Sequence, residues 1–565
     1  MTHCRPFAYP TNATPATQRR EATELAQRRR PPWLGAPGAP PAAIHLGAVV
    51  GAPSIARPGR NCWRVEPAER VAVLVDGAAY FSAFAAAARR ARHHILLIGW
   101  DFHGGVRLHP DGRPDRADEI GTFLEELVVA TPTLRVSVLD WDFSLLYALE
   151  RQFLPRLRFG QLTHERFRFR LDSHHPPAGA QHQKIAVIDD ALAFVGGFDF
   201  GPCRWDTVAH DATDARRVDP DGRPYPPFHD VQIAVDGGAA RAVAAMARQR
   251  WEQATGEPLA ASPPDVDVWP ADVRPDFEQV DVAIARTQPA FDGNPEVREV
   301  EQLYLDAIAA ARRWLYFENQ YLTSDAIGAA LIRRLAEPDG PEVVILQPRQ
   351  CQGWVEQTAM GVLRARLMRR LRAADRFDRL RVYYPDVAGL GEQRLTVHAK
   401  LLVVDDRLLR IGSANLNNRS MGVDSECDLA IEAGADAERA RRIAAVRDRL
   451  VGEHVGHSAE RVAATLAAHG SLIRTIETLS SPQRGLRPLA TEVEAWLDRL
   501  VPDAALLDPP RPMFGDRLLA RWGRPRDRGP RRRRAIWNAA LTAGAAMTGA
   551  AARWLRHLKP VGRGA

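Results

Sequence analysis

The chain has 565 residues, 45% apolar and 26% charged, which suits two α/β domains with tails and excludes a wholly disordered or collagen-like protein. Net charge is +7, but residues 517–565 alone hold thirteen Lys and Arg against one acid, Asp527, so the rest of the chain is net −5. The basicity that would mark a nucleic-acid binder therefore belongs to the tail and not to the body. Five scattered cysteines (Cys4, Cys62, Cys203, Cys351 and Cys427) include no C-x-x-C pair. A disulfide framework or cysteine-rich zinc site is not expected, and a reducing, cytoplasmic compartment fits.

Residues 1–60 are rich in Pro, Ala, Gly and Arg, lack an apolar signal-peptide core, and read as disordered. From 61 onward helical and strand patterns alternate: YFSAFAAAARRARHH leads into ILLIGWDF, and a helical stretch at 118–130 leads into LRVSVLDWDF. Prolines cluster at 257–275 and mark a linker. The second half repeats the order, with VREVEQLYLDAIAAARRW before LYFENQYL and SDAIGAALIRRLAE before EVVILQP. The expected domains are thus 61–270 and 275–450, followed by a helical extension at 451–516 and a basic amphipathic tail at 517–565. In that tail, eighteen uncharged residues from Ala535 to Ala552 are too rich in Ala, Gly and Thr for a strong membrane span. Trp537, Trp554 and Leu558 fall near one helical stripe beside the arginines, the pattern of a peripheral membrane anchor.

Only three of the 76 basic residues are lysine: Lys184, Lys400 and Lys559. No G-x-x-x-x-G-K phosphate loop can be written, and neither H-E-x-x-H nor G-x-S-x-G occurs. Two of the three lysines nevertheless share one frame, H-x-K-x-x-x-x-D, as His182, Lys184 and Asp189 and again as His398, Lys400 and Asp405. Chance would supply roughly 0.1 H-x-K tripeptides in such a chain. Aligning residues 182–200 with 398–416 gives seven identities in nineteen positions, which points to an internal duplication. The alignment sets Gly196, Gly197 and Asp199 opposite Gly412, Ser413 and Asn415, and Asp230 opposite Glu426.

On a strand, alternate residues share a face, so each histidine projects with its lysine. Two such pairs facing each other suit phosphodiester cleavage. One neutral imidazole attacks phosphorus, the other protonates the leaving oxygen, and the lysines stabilise the developing charge. Asp230 and Glu426 are candidates to sit behind the imidazoles and fix their tautomers. Asp199, Ser413 and Asn415 are candidate phosphate contacts, and Glu318, Asn319 and Gln320 candidate pocket residues. No metal-ligand cluster is visible, and no metal or cofactor is expected.

The paired H-x-K-x-x-x-x-D motifs, FENQYL and IGSANLNNRSMGVDSE resemble the phospholipase D superfamily, in particular its eukaryotic-like two-motif type, over about residues 61–450. The resemblance implies two duplicated α/β domains with mixed sheets flanked by helices and one active site at their interface. It also implies His182 as nucleophile forming a phosphohistidine, His398 as acid and base, and structural roles for Asp189 and Asp405. The expected function is a phospholipase D or transphosphatidylase, a monomer acting on phospholipid at a membrane surface. A cardiolipin synthase-like phosphatidyltransferase, a nuclease of the same superfamily and a non-catalytic membrane-binding scaffold are the alternatives. The net −5 body weighs against nucleic acid.

Overall fold

A computed structural model describes residues 53–110, 118–142, 164–176, 179–263, 266–350, 354–391, 394–490 and 508–512. The first half contains β1 (Arg64–Val75), β2 (His94–Gly99), β3 (Arg135–Trp141), β4 (Phe167–Asp172), β5 (Ile185–Ile188), β6 (Leu192–Gly196), β7 (Phe228–His229) and β8 (Val231–Asp236). The second contains β9 (Phe277–Gln288), β10 (Val297–Arg298), β11 (Trp314–Asn319), β12 (Glu342–Leu346), β13 (Leu380–Val387), β14 (Thr396–Val397), β15 (Lys400–Val404), β16 (Leu408–Gly412), β17 (Glu426–Glu432) and β18 (Arg484–Pro488).

The α/β reading holds, with one difference: the sheets of the two halves join into a single mixed sheet. Outward from β1 the order is β8, β6, β5, β2, β3, β4; outward from β9 it is β17, β16, β15, β11, β12, β13. Matched positions also agree in direction, with β2–β3–β4 and β11–β12–β13 parallel and the remaining matched pairs antiparallel. The halves therefore repeat one strand order, and β1 joins β9 antiparallel from Arg64–Ile284 to Val71–Phe277.

The sheet is buried on both faces, which is why its strands read as unbroken apolar runs. Along β1, Val71, Val73 and Val75 enter a core shared by both halves under the helices Gly237–Thr255 and Ala437–Val455. Ala72 and Leu74 point the other way, into a core of the first half under the helix Asp76–Ala88. The second half has its own core on that side.

Three expectations need correction. Residues 53–60 are ordered: Ile55 is buried, and Glu432 accepts the backbone N–H of Ile55 and Ala56. Residues 1–52 lie outside the described residues. The 451–516 extension is not helical throughout. Helices Ala459–His469 and Leu472–Leu479 give way to β18, which pairs antiparallel with the exposed edge of β13. Finally, the H-x-K motifs lead into their strands rather than lying within them: β5 starts at Ile185, just after Lys184, and β15 starts at Lys400 itself.

Candidate active site

Each motif aspartate shapes the scaffold. Asp189 adopts a left-handed backbone (φ 51°) at the β5–β6 turn and accepts backbone N–H groups of Arg92, His93 and His94 at 2.6–2.8 Å. Asp405 does the same at the β15–β16 turn (φ 52°) for Arg312, Arg313 and Trp314 at 2.8–3.0 Å. Both carboxylates tie a helix-to-strand corner to the motif strand and are spent on backbone donors.

The two halves interlock at the motifs. The strand β14, just before His398, pairs in parallel with β7, just before Asp230, and the N–H of His398 donates to the carbonyl of His229 at 2.8 Å. Symmetrically, Gln181 bridges Ser425, and the N–H of His182 donates to the carbonyl of Ser425 at 3.1 Å. The result is a crossed arrangement in which each half supplies the carboxylate for the other's imidazole. His182 Nδ1 lies 3.0 Å from both carboxylate oxygens of Glu426, and His398 Nδ1 lies 2.6 Å from Asp230 Oδ2. With Nδ1 so engaged, Nε2 of each ring is left for chemistry.

The lysines are almost wholly buried, while the imidazole side chains stay partly open at 13% for His182 and 9% for His398. Each lysine folds back on its own motif: Lys184 Nζ donates to the carbonyl of His182 at 3.1 Å, and Lys400 Nζ to that of His398. Lys184 also pairs with Asp199 at 3.3 Å and lies 5.9 Å above the Trp100 ring. Asp199, considered from sequence as a phosphate contact, is thus engaged by Lys184 and by the backbone N–H of Trp100. Ser413 Oγ donates to Glu426 at 2.5 Å and accepts the N–H of Cys427, so it holds the carboxylate in place. Asn415 is buried and its Oδ1 accepts no hydrogen bond.

The sequence difference between Gly197 and Ser413 has a steric cause. A Cβ on Gly197 would stand 2.0 Å from Asp230 Oδ1, so the carboxylate that serves His398 fills the space a side chain would need. At the matched position, Ser413 instead reaches its longer partner Glu426.

Electrostatics favour neutral imidazoles in the unliganded site. Burial, then Lys184 and Lys400, hold His182 well below the usual imidazole range; burial, then Lys400 and Arg204, do so for His398. Burial raises Glu426 to about 8 and Asp230 to about 6. Lys400 is brought down to about 7, chiefly by burial, with Lys184 and Arg204 adding to the fall. Each imidazole thus lies within electrostatic reach of both lysines.

Two contributors were missed from sequence. Arg204, in the loop after β6, lies over the Phe228 ring at 4.9 Å, and Phe228 in turn contacts the His398 ring at 5.4 Å. The Nε of this nearly buried arginine has no acceptor. Trp100 stacks on Trp141 at 5.6 Å and meets His182 edge-on at 6.4 Å. No spacing in the sequence marks either residue. Conversely, the structure does not bring Glu318, Asn319 and Gln320 to the site as pocket residues. Glu318 is fully buried against His229, Tyr316 and His454. Asn319 binds backbone around 414–416, and Gln320 donates to Tyr321.

The arrangement gathers two imidazoles, each with Nδ1 on a carboxylate and each within electrostatic reach of both lysines, which are the groups that nucleophilic and acid–base chemistry at phosphorus needs. Comparison with known proteins agrees. A family model described as "Cardiolipin synthase, PLD-like domain" matches residues 304–445. Phospholipase D A of Dictyostelium discoideum is 25% identical over 68% of this chain and 35% of its own length. Phospholipase D alpha 1 of Vigna unguiculata is 24% identical over 60% and 58% of the respective chains, and phospholipase D2 of Bos taurus 22% over 63% and 48%. The family-model match and these relatives together support the phospholipase D superfamily. The chain spans between about a third and three-fifths of the length of these curated relatives.

Proposed function

We propose that the protein is a phospholipase D or transphosphatidylase that cleaves or exchanges the head group of glycerophospholipids through a phosphohistidine. The crossed His–carboxylate pairs carry the reading, because they supply two imidazoles with the same free nitrogen and separate tasks. His182 Nε2 attacks phosphorus and forms a P–N bond as the P–O bond to the head group breaks. His398 donates its Nε2 proton to that leaving oxygen. It then takes a proton from water or an alcohol, whose oxygen displaces His182 and completes the exchange. The entering phosphate anion favours protonation of His398, offsetting the burial and cationic neighbours that hold it neutral beforehand. Lys184 and Lys400 stabilise charge on the phosphoryl oxygens.

Mixed phospholipids with added ethanol test this reading: phosphatidylethanol and free head group are expected, and plasmid and single-stranded DNA run in parallel should remain intact. DNA cleavage without phosphatidylethanol would establish the nuclease alternative. Conversion of phosphatidylglycerol to cardiolipin would establish the synthase alternative, towards which the name of the matching family model points.

The charge states give a pH profile. On a soluble short-chain substrate, kcat/KM should require unprotonated His182 and protonated Lys400. Because His182 is held down, the acid limb should fall below pH 6.5; because Lys400 is lowered to about 7, activity should decline from about pH 7 upward. A flat profile from pH 7 to about 9 would contradict the role given to Lys400.

The basic tail, residues 517–565, lies outside the described residues, and among the described residues no helix is long and apolar enough to cross a membrane. On its charge of +12 we propose the tail as a peripheral anchor to anionic lipid. Truncation at 517 should abolish salt-sensitive sedimentation with anionic vesicles, and unchanged sedimentation would refute it.

A further inference from the structure

Four buried side chains converge behind the His398 arm, and the reaction outlined above uses none of them. Asp76 opens the helix Asp76–Ala88, His210 lies in the loop after β6, His229 is on β7, and Glu453 is on the helix Ala437–Val455. Their side chains are between 0 and 4% exposed. His210 Nε2 stands 3.0 Å from Glu453 Oε1 and 3.5 Å from Asp76 Oδ2. His229 Nδ1 stands 2.9 Å from Glu453 Oε1 and 3.0 Å from Asp76 Oδ1. A tetrahedron with bonds of about 2.0–2.1 Å places its ligand atoms about 3.3 Å apart, which these separations bracket.

Two further observations point to a cation rather than to hydrogen bonds alone. Asp76 Oδ2 is fully buried and accepts no hydrogen bond. Both imidazoles also present their second nitrogen to an outer carboxylate, His210 Nδ1 to Asp206 at 2.9 Å and His229 Nε2 to Glu318 at 2.7 Å. That carboxylate–imidazole backing is the usual support of a metal-bound histidine. The outer carboxylates are themselves held, Asp206 by Arg217 and Glu318 by the Tyr316 hydroxyl. Among the described residues Asp76 and Glu453 form ion pairs with imidazoles alone. Arg484 lies within electrostatic reach of both carboxylates, and the rest of their buried charge is balanced by protons on His210 and His229 or by one dication in their place.

We propose that Asp76, His210, His229 and Glu453 form a structural site for a divalent transition metal, of the kind zinc occupies. Two nitrogens and two carboxylate oxygens match zinc, and four protein ligands in a buried setting leave no open position for substrate. Three ligands come from the first half and one from the helix Ala437–Val455, so the ion ties that helix to the first half. It also fixes His229, whose carbonyl receives the His398 N–H and whose neighbour Asp230 orients that imidazole.

The test is the metal content of the untagged full-length chain after gel filtration in a chelating buffer, by mass spectrometry. About one zinc per chain is expected, falling at least about fivefold in His210→Ala and in Glu453→Ala. The wild-type chain produced in cobalt-supplemented, zinc-poor medium should show the intense visible bands of tetrahedral cobalt. Should the variants fail to fold, X-ray absorption of the wild-type metal decides. A shell of two imidazoles and two oxygens supports the site, whereas sulfur ligands or six oxygens would overturn it. Wild-type chain with less than about 0.1 ion and no cobalt bands would mean that imidazolium protons balance the cluster. Full metal content in both folded variants would place the ion elsewhere.

Discussion

His182→Ala and His398→Ala are each expected to lower turnover on phosphatidylcholine by about 10⁴-fold or more while leaving the fold intact. The two losses differ in kind. Without His182 no P–N bond forms, and no substrate can compensate. Without His398 the departing alkoxide has no proton donor, a defect that a good leaving group bypasses. On a phosphatidyl p-nitrophenyl ester, His398→Ala should therefore release one equivalent of nitrophenolate in a burst and then stall. His182→Ala should show no burst. Steady turnover of phosphatidylcholine by either variant would rule out the shared site. The fold should survive because both imidazoles sit at the ends of strands whose apolar residues, not the histidines, fill the core.

The second large effect follows from the crossing. Glu426→Gln and Asp230→Asn should each lower kcat by about 10²–10³-fold, since an amide neither fixes the Nδ1–H tautomer nor stabilises an imidazolium. The geometry assigns them to different half-reactions. Glu426 backs the nucleophile at 3.0 Å, so Glu426→Gln should slow the nitrophenolate burst itself. Asp230 backs the acid and base at 2.6 Å, so Asp230→Asn should keep a fast burst and slow only the subsequent hydrolysis. Stopped-flow absorbance separates the two phases. The reverse pattern would show that each carboxylate serves the imidazole of its own half.

Much of this site is legible in the sequence because lysine is scarce. In a chain with 76 basic residues, two of three lysines falling in one repeated frame mark His182 and His398 without any structure. The same alignment brings out Asp230 and Glu426. Which imidazole each one serves is not legible, because it is decided by pairings between segments 168 and 244 residues apart. Glu318 misleads for a related reason. Its polar neighbours in FENQYL look like pocket residues, but it lies on the strand β11 with its side chain among His229, Tyr316 and His454. The cluster of Asp76, His210, His229 and Glu453 has no sequence signature, since its members lie on four separate elements with no common spacing. The short strand β18 hides inside a helical pattern, and only the open edge of β13 gives it a partner.

The most direct measurement is the intact mass of His398→Ala reacted with a short-chain phosphatidyl p-nitrophenyl ester and quenched at alkaline pH, followed by peptide mapping. One phosphatidyl group is expected on the chain, carried by the ring of His182. A burst of nitrophenolate with no adduct, or an adduct mapped to any other residue, would contradict a shared site in which His182 forms the bond to phosphorus.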